Sequence, residues 1–418
     1  MVNLTDNCLD FSQEVYEPAE DSYLLQKSVR KLAFGRVLDM GTGSGIQAFE
    51  AVGCKDVRTV LAVDVNPNAV NILKSKVKNE HINKLRVIES DLFSKVEGQF
   101  DTIIFNPPYL PQDKVGDKKI NDLALYGGKN GYEVIQRFLN QSGEHLAQDG
   151  AIILLVSNLS GLSKIKEIIT SNLFGHELLE EISLPFFEKL YVYKIWNSDV
   201  RKALISRSVS NISFLAKGQR GLVFKGKWKK NSFVKTHLAK DEITDVAIKI
   251  VNPKSNIEFR IENEVNCLKK LNREGIGPRL YFYGQGYFVM GFLEGLKLPE
   301  FLESEKKLIS SDKLSEKSKS VLKEVLRQCY VLDKLGISKE EFHRPIKHVM
   351  ISEDLKVTLL DFERCHNSEK PNNVSQFCTF LAKLNRINSE ELFELAGKYK
   401  KSYSIEDFNC ILGAVERA

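Results

Sequence analysis

The chain has 418 residues, 43% of them hydrophobic, with a net charge of +5, which is too long for one ordinary core and too apolar for a disordered polypeptide. Seven cysteines with no Cys-x-x-Cys spacing exclude a zinc knuckle and a disulfide framework. The strongest apolar run, Ile152-Ile153-Leu154-Leu155-Val156, is far too short to span a bilayer, and a start lacking basic and apolar signal-peptide regions points to a reducing cytoplasm.

From Arg36 to Trp196 strand and helix signals alternate. Val37–Met40 reads as a short apolar strand ended by a glycine turn, with a helix over Ile46–Val52. Val60–Asp64 reads as a second strand. A helix over Pro67–Asn79 follows, with proline in its first turn and Val70, Leu73 and Val77 on one face. Leu85–Ile88 and Asp101–Phe105 predict further strands, Gly131–Leu146 a long amphipathic helix, 151–156 a buried strand and Leu190–Trp196 a closing one. Such alternation predicts a parallel sheet wrapped by helices, with its site at the carboxyl ends of the strands.

The pattern breaks between Ser198 and Arg207, which predicts domains over 1–200 and 206–418. Residues 1–200 carry a net charge of −6 and the remaining 218 a net +11. A basic half of this kind suits either a solvated lysine-rich surface or a tRNA or rRNA contact. Strand signals follow at Ile212–Leu215, Gly221–Lys227, Asp245–Val251 and Tyr287–Phe292, with a helix over Ile257–Leu271. A long helix is expected near Lys317–Leu335, paired short strands at Val349–Ile351 and Lys356–Leu360, and a helical tail from Val374 to Arg417. The charged stretch from Glu303 to Lys319 reads as an exposed connection.

Two motifs carry the chemistry of the first half. Gly41-Thr42-Gly43-Ser44-Gly45 is a strand-to-helix turn whose glycines let a backbone approach a nucleotide-like cofactor. Asn106-Pro107-Pro108-Tyr109 is a stiff corner after a later strand. It can offer the Asn106 side-chain carbonyl and the Pro107 backbone carbonyl to the two N–H groups of a planar amine. Such a nitrogen is a poor nucleophile, so orienting it matters more than deprotonating it. Pro108 stiffens the corner, and Tyr109 offers an aromatic face.

With Tyr16-Glu17-Pro18-Ala19-Glu20-Asp21-Ser22, Asp64, Asp91-Leu92-Phe93 and Gly127–Gly131, these motifs resemble class I S-adenosylmethionine-dependent methyltransferases of the HemK/PrmC type. The similarity covers nearly all of residues 12–197 and is closer to the archaeal and eukaryotic release-factor glutamine methyltransferases. It implies a Rossmann-like mixed sheet binding S-adenosylmethionine. Asp39 would meet the cofactor's ammonium and Ser22 lie near its carboxylate. Gly41, Gly43 and Gly45 would lie against it. Asp64 would accept the ribose hydroxyls, Asp91 the adenine amine, and Leu92 pack the ring. Asn106, Pro107, Pro108 and Tyr109 would hold the acceptor. The resemblance further implies a class I release factor as substrate, at a Gly-Gly-Gln tripeptide, and a small zinc-binding activator subunit. An exocyclic base amine, as in N6-adenine, would suit the same corner; the compact, acidic half favours glutamine.

Residues 206–418 resemble the RIO and KEOPS-kinase-like group, which implies an α+β two-lobed fold. Gly218 and Gly221 bracket a short phosphate-covering loop. Lys249, in Val246-Ala247-Ile248-Lys249, matches a phosphate-pairing lysine, with Glu264 or Glu262 as its helix partner. Met290 would face adenine at a hinge, and Asp361, in Asp361-Phe362-Glu363, would hold Mg²⁺. Placed without gaps, His348 takes the second metal-binding position and His343 that of the catalytic aspartate; alternatively Pro345 replaces that aspartate. Either way the usual carboxylate base is missing, and Glu340 or Glu341 could serve instead. The half is therefore expected to bind ATP and Mg²⁺ as an atypical kinase, an ATPase or switch, or to act as an inert adaptor.

Overall fold

The computed structural model describes residues 15–112, 122–218, 221–230, 242–251, 259–308, 313–340, 342–384 and 386–418. The chain divides into two compact units, Met1–Ser213 and Phe214–Ala418.

In the first unit, helix α1 (Glu20–Leu32) precedes strand β1 (Gly35–Met40), helix α2 (Ile46–Gly53), strand β2 (Val57–Asp64) and helix α3 (Pro67–Asn79). Helix α3 begins where its sequence says it should: Asn66 accepts from the Asn68 amide at 2.9 Å, and Pro67 occupies the first turn. Strands β3 (Leu85–Glu89) and β4 (Phe100–Phe105) follow, then helices α4 (Asp122–Leu125) and α5 (Glu133–His145) and strand β5 (Leu146–Ser157). Helix α6 (Leu162–Ser171), strands β6 (Phe174–Ser183) and β7 (Lys189–Asn197) and helix α7 (Asp199–Ser206) complete the unit.

The sheet runs β3-β2-β1-β4-β5-β7-β6. Strands β1 to β5 pair in parallel, and β7 is antiparallel to both its neighbours. This is the Rossmann-like sheet of class I methyltransferases. Ile152 to Val156 have no exposed surface, because apolar clusters cover both faces of the central strands. Register places the site: Met40 pairs with Val63 and with Phe105. The ends of β1, β2 and β4 thus share one edge of the sheet.

A five-stranded sheet ordered β11-β12-β10-β9-β8 follows, with the boundary between the units falling within its edge strand β8. Its strands are β8 (Val209–Lys217), β9 (Gly221–Lys229), β10 (Ile243–Val251), β11 (Leu280–Gly284) and β12 (Tyr287–Gly291), with helix α8 (Phe259–Leu271) between β10 and β11. After the short strand β13 (Leu296–Lys297) the unit turns largely helical: α9 (Leu298–Leu308), α10 (Glu316–Lys334), α11 (Asn373–Ala382), α12 (Ser389–Ser402) and α13 (Ile405–Arg417). Short strands β14 (Ile337–Ser338), β15 (Val349–Ile351), β16 (Val357–Leu359) and β17 (His366–Asn367) lie between α10 and α11. This antiparallel sheet followed by a helical region makes the second unit α+β.

Three stretches differ from the sequence-based expectation. The region between Ser198 and Arg207, expected to be a break, is mostly the helix α7, started by Ser198 accepting from the Arg201 amide. Strand β6 lies at the sheet edge beside β7 and does not alternate apolar with polar residues, so it leaves little periodic signal. The stretch expected as a connection from Glu303 to Lys319 is in large part helical, in α9 and α10, because Leu298, Phe301 and Leu314 bury into the core while most of the charges, Glu305 excepted, face solvent.

Asp333 organises the helical region. Its carboxylate, 5% exposed, accepts from the Asn373 amide at 2.9 Å, the Asn373 side chain at 2.7 Å, the Val374 amide at 3.2 Å and the Tyr399 hydroxyl at 3.1 Å. Removing it strands several buried donors at once. Asp333→Ala is expected to cost the second unit about 3 kcal/mol, measured by urea unfolding; a loss below about 1 kcal/mol would mean that water replaces the carboxylate.

Candidate active site

A cavity of about 360 Å³ opens at the carboxyl ends of β1, β2 and β4, lined by Asp21, Ser22, Asp39, Gly41, Gly43, Asp64, Asp91, Leu92 and residues 106–109, among others. The three turn glycines have different local reasons. Gly43, at φ +51, has open space where a Cβ would stand; a Cβ on Gly41 would press on the Phe105 ring at 3.2 Å. Gly45 does not line the cavity. A Cβ there would lie 2.6 Å from Leu73, so Gly45 serves the packing of α2 against α3.

Asp39 is 1% exposed and accepts from the Thr42 hydroxyl at 2.6 Å. Burial pushes its carboxyl up to about 7, against the pull of that bond. Asp64 accepts from the Gly43 amide at 2.8 Å and the Asn66 amide at 2.9 Å, and burial raises its carboxyl too. Asp91 lines the cavity, with one of its oxygens taken by Arg137 Nη2 at 2.7 Å. Leu92 beside it is buried and held at φ +45.

Asn106 sits one residue beyond β4. Its Nδ2 donates to Asp21 Oδ2 at 3.0 Å. Asp21, in turn, is fixed through Oδ1, which accepts from the Ser22 amide at 2.6 Å and the Tyr16 hydroxyl at 3.2 Å. A carboxylate can only accept, so the Asn106 amide is turned with its oxygen to the other side. That oxygen is buried and has no hydrogen-bond partner among the described residues.

The corner is clamped from outside. A Cβ on Gly127 would stand 2.5 Å from the Pro108 carbonyl oxygen, and one on Gly131 2.4 Å from that of Tyr109. The Gly127 amide donates to Leu110 O at 3.0 Å and the Ser160 hydroxyl to Tyr109 O at 2.8 Å.

In the second unit, Lys249 Nζ lies 2.6 Å from Glu264, 3.5 Å from Asp361 and 3.7 Å from Glu363. Glu262, the rival partner, is exposed. Burial works against the Lys249 charge, but the three carboxylates outweigh it and hold the ammonium above its usual range. Asp361 keeps φ +60, a conformation that persists only where its surroundings enforce it. Asn263 supplies part of that enforcement, donating to Glu363 O at 2.9 Å and Cys365 O at 2.8 Å. Glu264, Asp361 and Glu363 bring their carboxylate oxygens within 4.8 Å of one another. His348 Nδ1 lies 4.0 Å from the Asp361 carboxylate, beside this cluster. Met290 is partly buried opposite Ala247, and the Gly218 amide closes its loop on Gly221 O at 2.9 Å. His343 is exposed, Glu340 lies 4.0 Å from His366, and Glu341 falls outside the described residues.

Two residues were missed by sequence reasoning. Asp21 lies inside a quoted motif, but its bond to Asn106, 85 residues away, has no local signal. Lys339, 2% exposed, donates to the Asp361 carbonyl between the Phe342 and Phe362 rings; a lone lysine after a short strand gives no warning of this.

Residues 11–180 match the family described as methyltransferase small domain. A Methanocaldococcus jannaschii protein, provisionally named a protein N5-glutamine methyltransferase, is 37% identical over 191 residues, covering 45% of this chain and 94% of that protein. A Rhodopirellula baltica release factor glutamine methyltransferase is 34% identical over 160 residues, covering 34% of this chain and 54% of that protein. Among solved structures, the bifunctional kinase-methyltransferase WbdD aligns over 98% of this chain and 87% of its own, at 16% identity and a TM-score of 0.44. That last similarity is too weak to bear on function. Through its first half, the chain belongs to the S-adenosylmethionine-dependent protein-glutamine N5-methyltransferases.

Proposed function

We propose that the first half methylates the glutamine of a Gly-Gly-Gln loop in a class I release factor, and that the second half binds ATP and Mg²⁺ as an atypical kinase or pseudokinase. The unsatisfied oxygen of Asn106 carries the first reading. A buried acceptor left without a donor costs about 1–3 kcal/mol, and a glutamine side-chain NH2 supplies the missing hydrogen. The acidic first half disfavours a phosphate backbone as substrate. The name of the Rhodopirellula relative supports a release factor.

The residues fit S-adenosylmethionine. The open space at Gly43 admits a ligand against the backbone, and the carboxylates of Asp39 and Asp64 suit an ammonium and a ribose diol. Ser22, Gly41, Leu92 and Asp91 would complete the contacts, Asp91 while still paired with Arg137. When bound, the cofactor supplies an electrophilic methyl group on a sulfonium. The protein's own part is orientation. Asn106 Oδ1 and the Pro107 carbonyl accept the two N–H groups of the acceptor, Asp21 fixes the Asn106 amide, and the stiff corner of Pro107 and Pro108 keeps both acceptors in place. The positive charge that develops on nitrogen strengthens both bonds. Tyr109 lies beside the acceptor, and its phenol stays neutral because burial, with Asp21 and Glu188 nearby, raises its pKa. The resemblance to this branch also implies a small zinc-binding activator, so assays should include one.

In the second half, the Lys249–Glu264 pair and the φ of Asp361 support a nucleotide site. Three neighbouring carboxylates suit Mg²⁺.

Tritiated S-adenosylmethionine, offered with release factor and with RNA, should label the release factor at glutamine; label confined to RNA would overturn the proposal. Asn106→Ala should abolish transfer and leave cofactor binding largely intact. Asp21→Asn should lower kcat about 100-fold by freeing the Asn106 amide; an unchanged kcat would remove Asp21 from its role. Cofactor affinity should fall about tenfold from pH 8 to pH 6 as Asp39 takes up a proton and loses its attraction for the ammonium. Calorimetry on Asp39→Asn should find weak binding with that pH dependence gone. Mg-ATP should raise the melting temperature, and Lys249→Met should abolish the shift; a shift kept in the variant would exclude Lys249 as a phosphate ligand.

A further inference from the structure

The turn between β6 and β7 carries two neighbouring phenylalanines almost wholly in solvent: Phe186 is 97% exposed and Phe187 96%. Each has left-handed backbone, at φ 60 and φ 63, which bulky L residues rarely adopt. A flexible tip would relax both; this one is braced. The Leu184 amide donates to Glu188 O at 2.8 Å and Asn158 Nδ2 to Phe187 O at 3.1 Å. The Lys189 amide donates to Asn158 Oδ1 at 2.8 Å, and the Ser157 hydroxyl to the Glu188 carboxylate at 3.0 Å.

The braces lead back to the active site. Ser157 ends β5, and Ser160, three residues on, holds the Tyr109 carbonyl. Glu188 lies close enough to Tyr16 and Tyr109 to raise both phenols, as a smaller contribution than burial. Topology agrees: β6 and β5 are both antiparallel to β7, so the β6–β7 turn lies on the same edge as the ends of β1, β4 and β5. Leu159, 43% exposed, extends the apolar rim next to Asn158. Two rigid, solvated aromatic rings beside the mouth of a protein-modifying site make an anchor for a protein surface.

We propose that Phe186 and Phe187 dock the acceptor protein, seating in an apolar surface that borders its glutamine-bearing loop. This rests on the reading that the acceptor is a folded protein. The tip then supplies affinity remote from the reacting nitrogen, and positions the loop at Asn106 without touching the chemistry.

The test compares the full chain with F186S/F187S, using a class I release factor and tritiated S-adenosylmethionine, with cofactor affinity measured in parallel by calorimetry. KM for the release factor should rise about tenfold, with kcat at saturation and cofactor affinity unchanged, and F186L/F187L should recover most of the loss. An unchanged KM would overturn the proposal. So would a parallel loss of cofactor binding, which would make the tip a structural brace, or a wild-type dimer that the double variant dissociates, which would assign the rings to a second copy of the chain. A wild-type chain that labels no glutamine would instead overturn the acceptor reading on which the proposal rests.

Discussion

The chemistry proposed for the first half depends on one hydrogen bond, Asn106 Nδ2 to Asp21 Oδ2, at 3.0 Å. An asparagine amide offers a donor and an acceptor on nearly symmetrical arms, and its surroundings decide which faces the ligand. Asp21 can only accept, so it takes the NH2 end and leaves the carbonyl as the unpaired group. The site thereby presents an acceptor to a substrate whose reactive group is a donor. No strong base is needed, since the proton on nitrogen becomes acidic only once the methyl group has arrived. What the protein supplies is a fixed direction of approach.

The remainder of the unit keeps that bond in place. The register of β1 with β2 and β4 brings Asp39, Asp64 and Asn106 to one edge. Helix α1 brings Asp21, and the Gln47 side chain holds α1 by donating to Ser22 O at 2.8 Å. The glycine loop of residues 127–131 lies so close to the carbonyls of Pro108 and Tyr109 that a single methyl group would force it away. The second unit solves its own problem by similar means. There a lysine is buried among carboxylates, Asn263 ties α8 to the segment after Asp361, and Lys339 holds the Asp361 carbonyl from the other side.

Local signals made much of this legible. Most strands and helices between Arg36 and Trp196, α6 and β6 excepted, stood out because buried parallel strands are continuous apolar runs and their helices are one-sided. The glycine turn and the two-proline corner stood out because few residue types satisfy those backbones. What stayed hidden depends on partners distant in sequence. Gly45 looked like a cofactor glycine, and only the proximity of Leu73 shows that packing also demands it. Asp91 showed no sign of Arg137, nor Asp21 of Asn106. The edge strand β6 lacked the alternation that would have announced it. In the second half the burial of Lys339 left no local signal.

The central claim is that the Asn106 oxygen receives the acceptor's N–H. A crystal structure of the chain with S-adenosylhomocysteine and a Gly-Gly-Gln peptide tests it most directly. The account predicts the glutamine nitrogen at about 2.9 Å from Asn106 Oδ1, with Asp21 still holding the other arm of the amide. A glutamine side chain directed away from that corner, or an Asn106 amide reversed so that its NH2 faces the substrate, would contradict it.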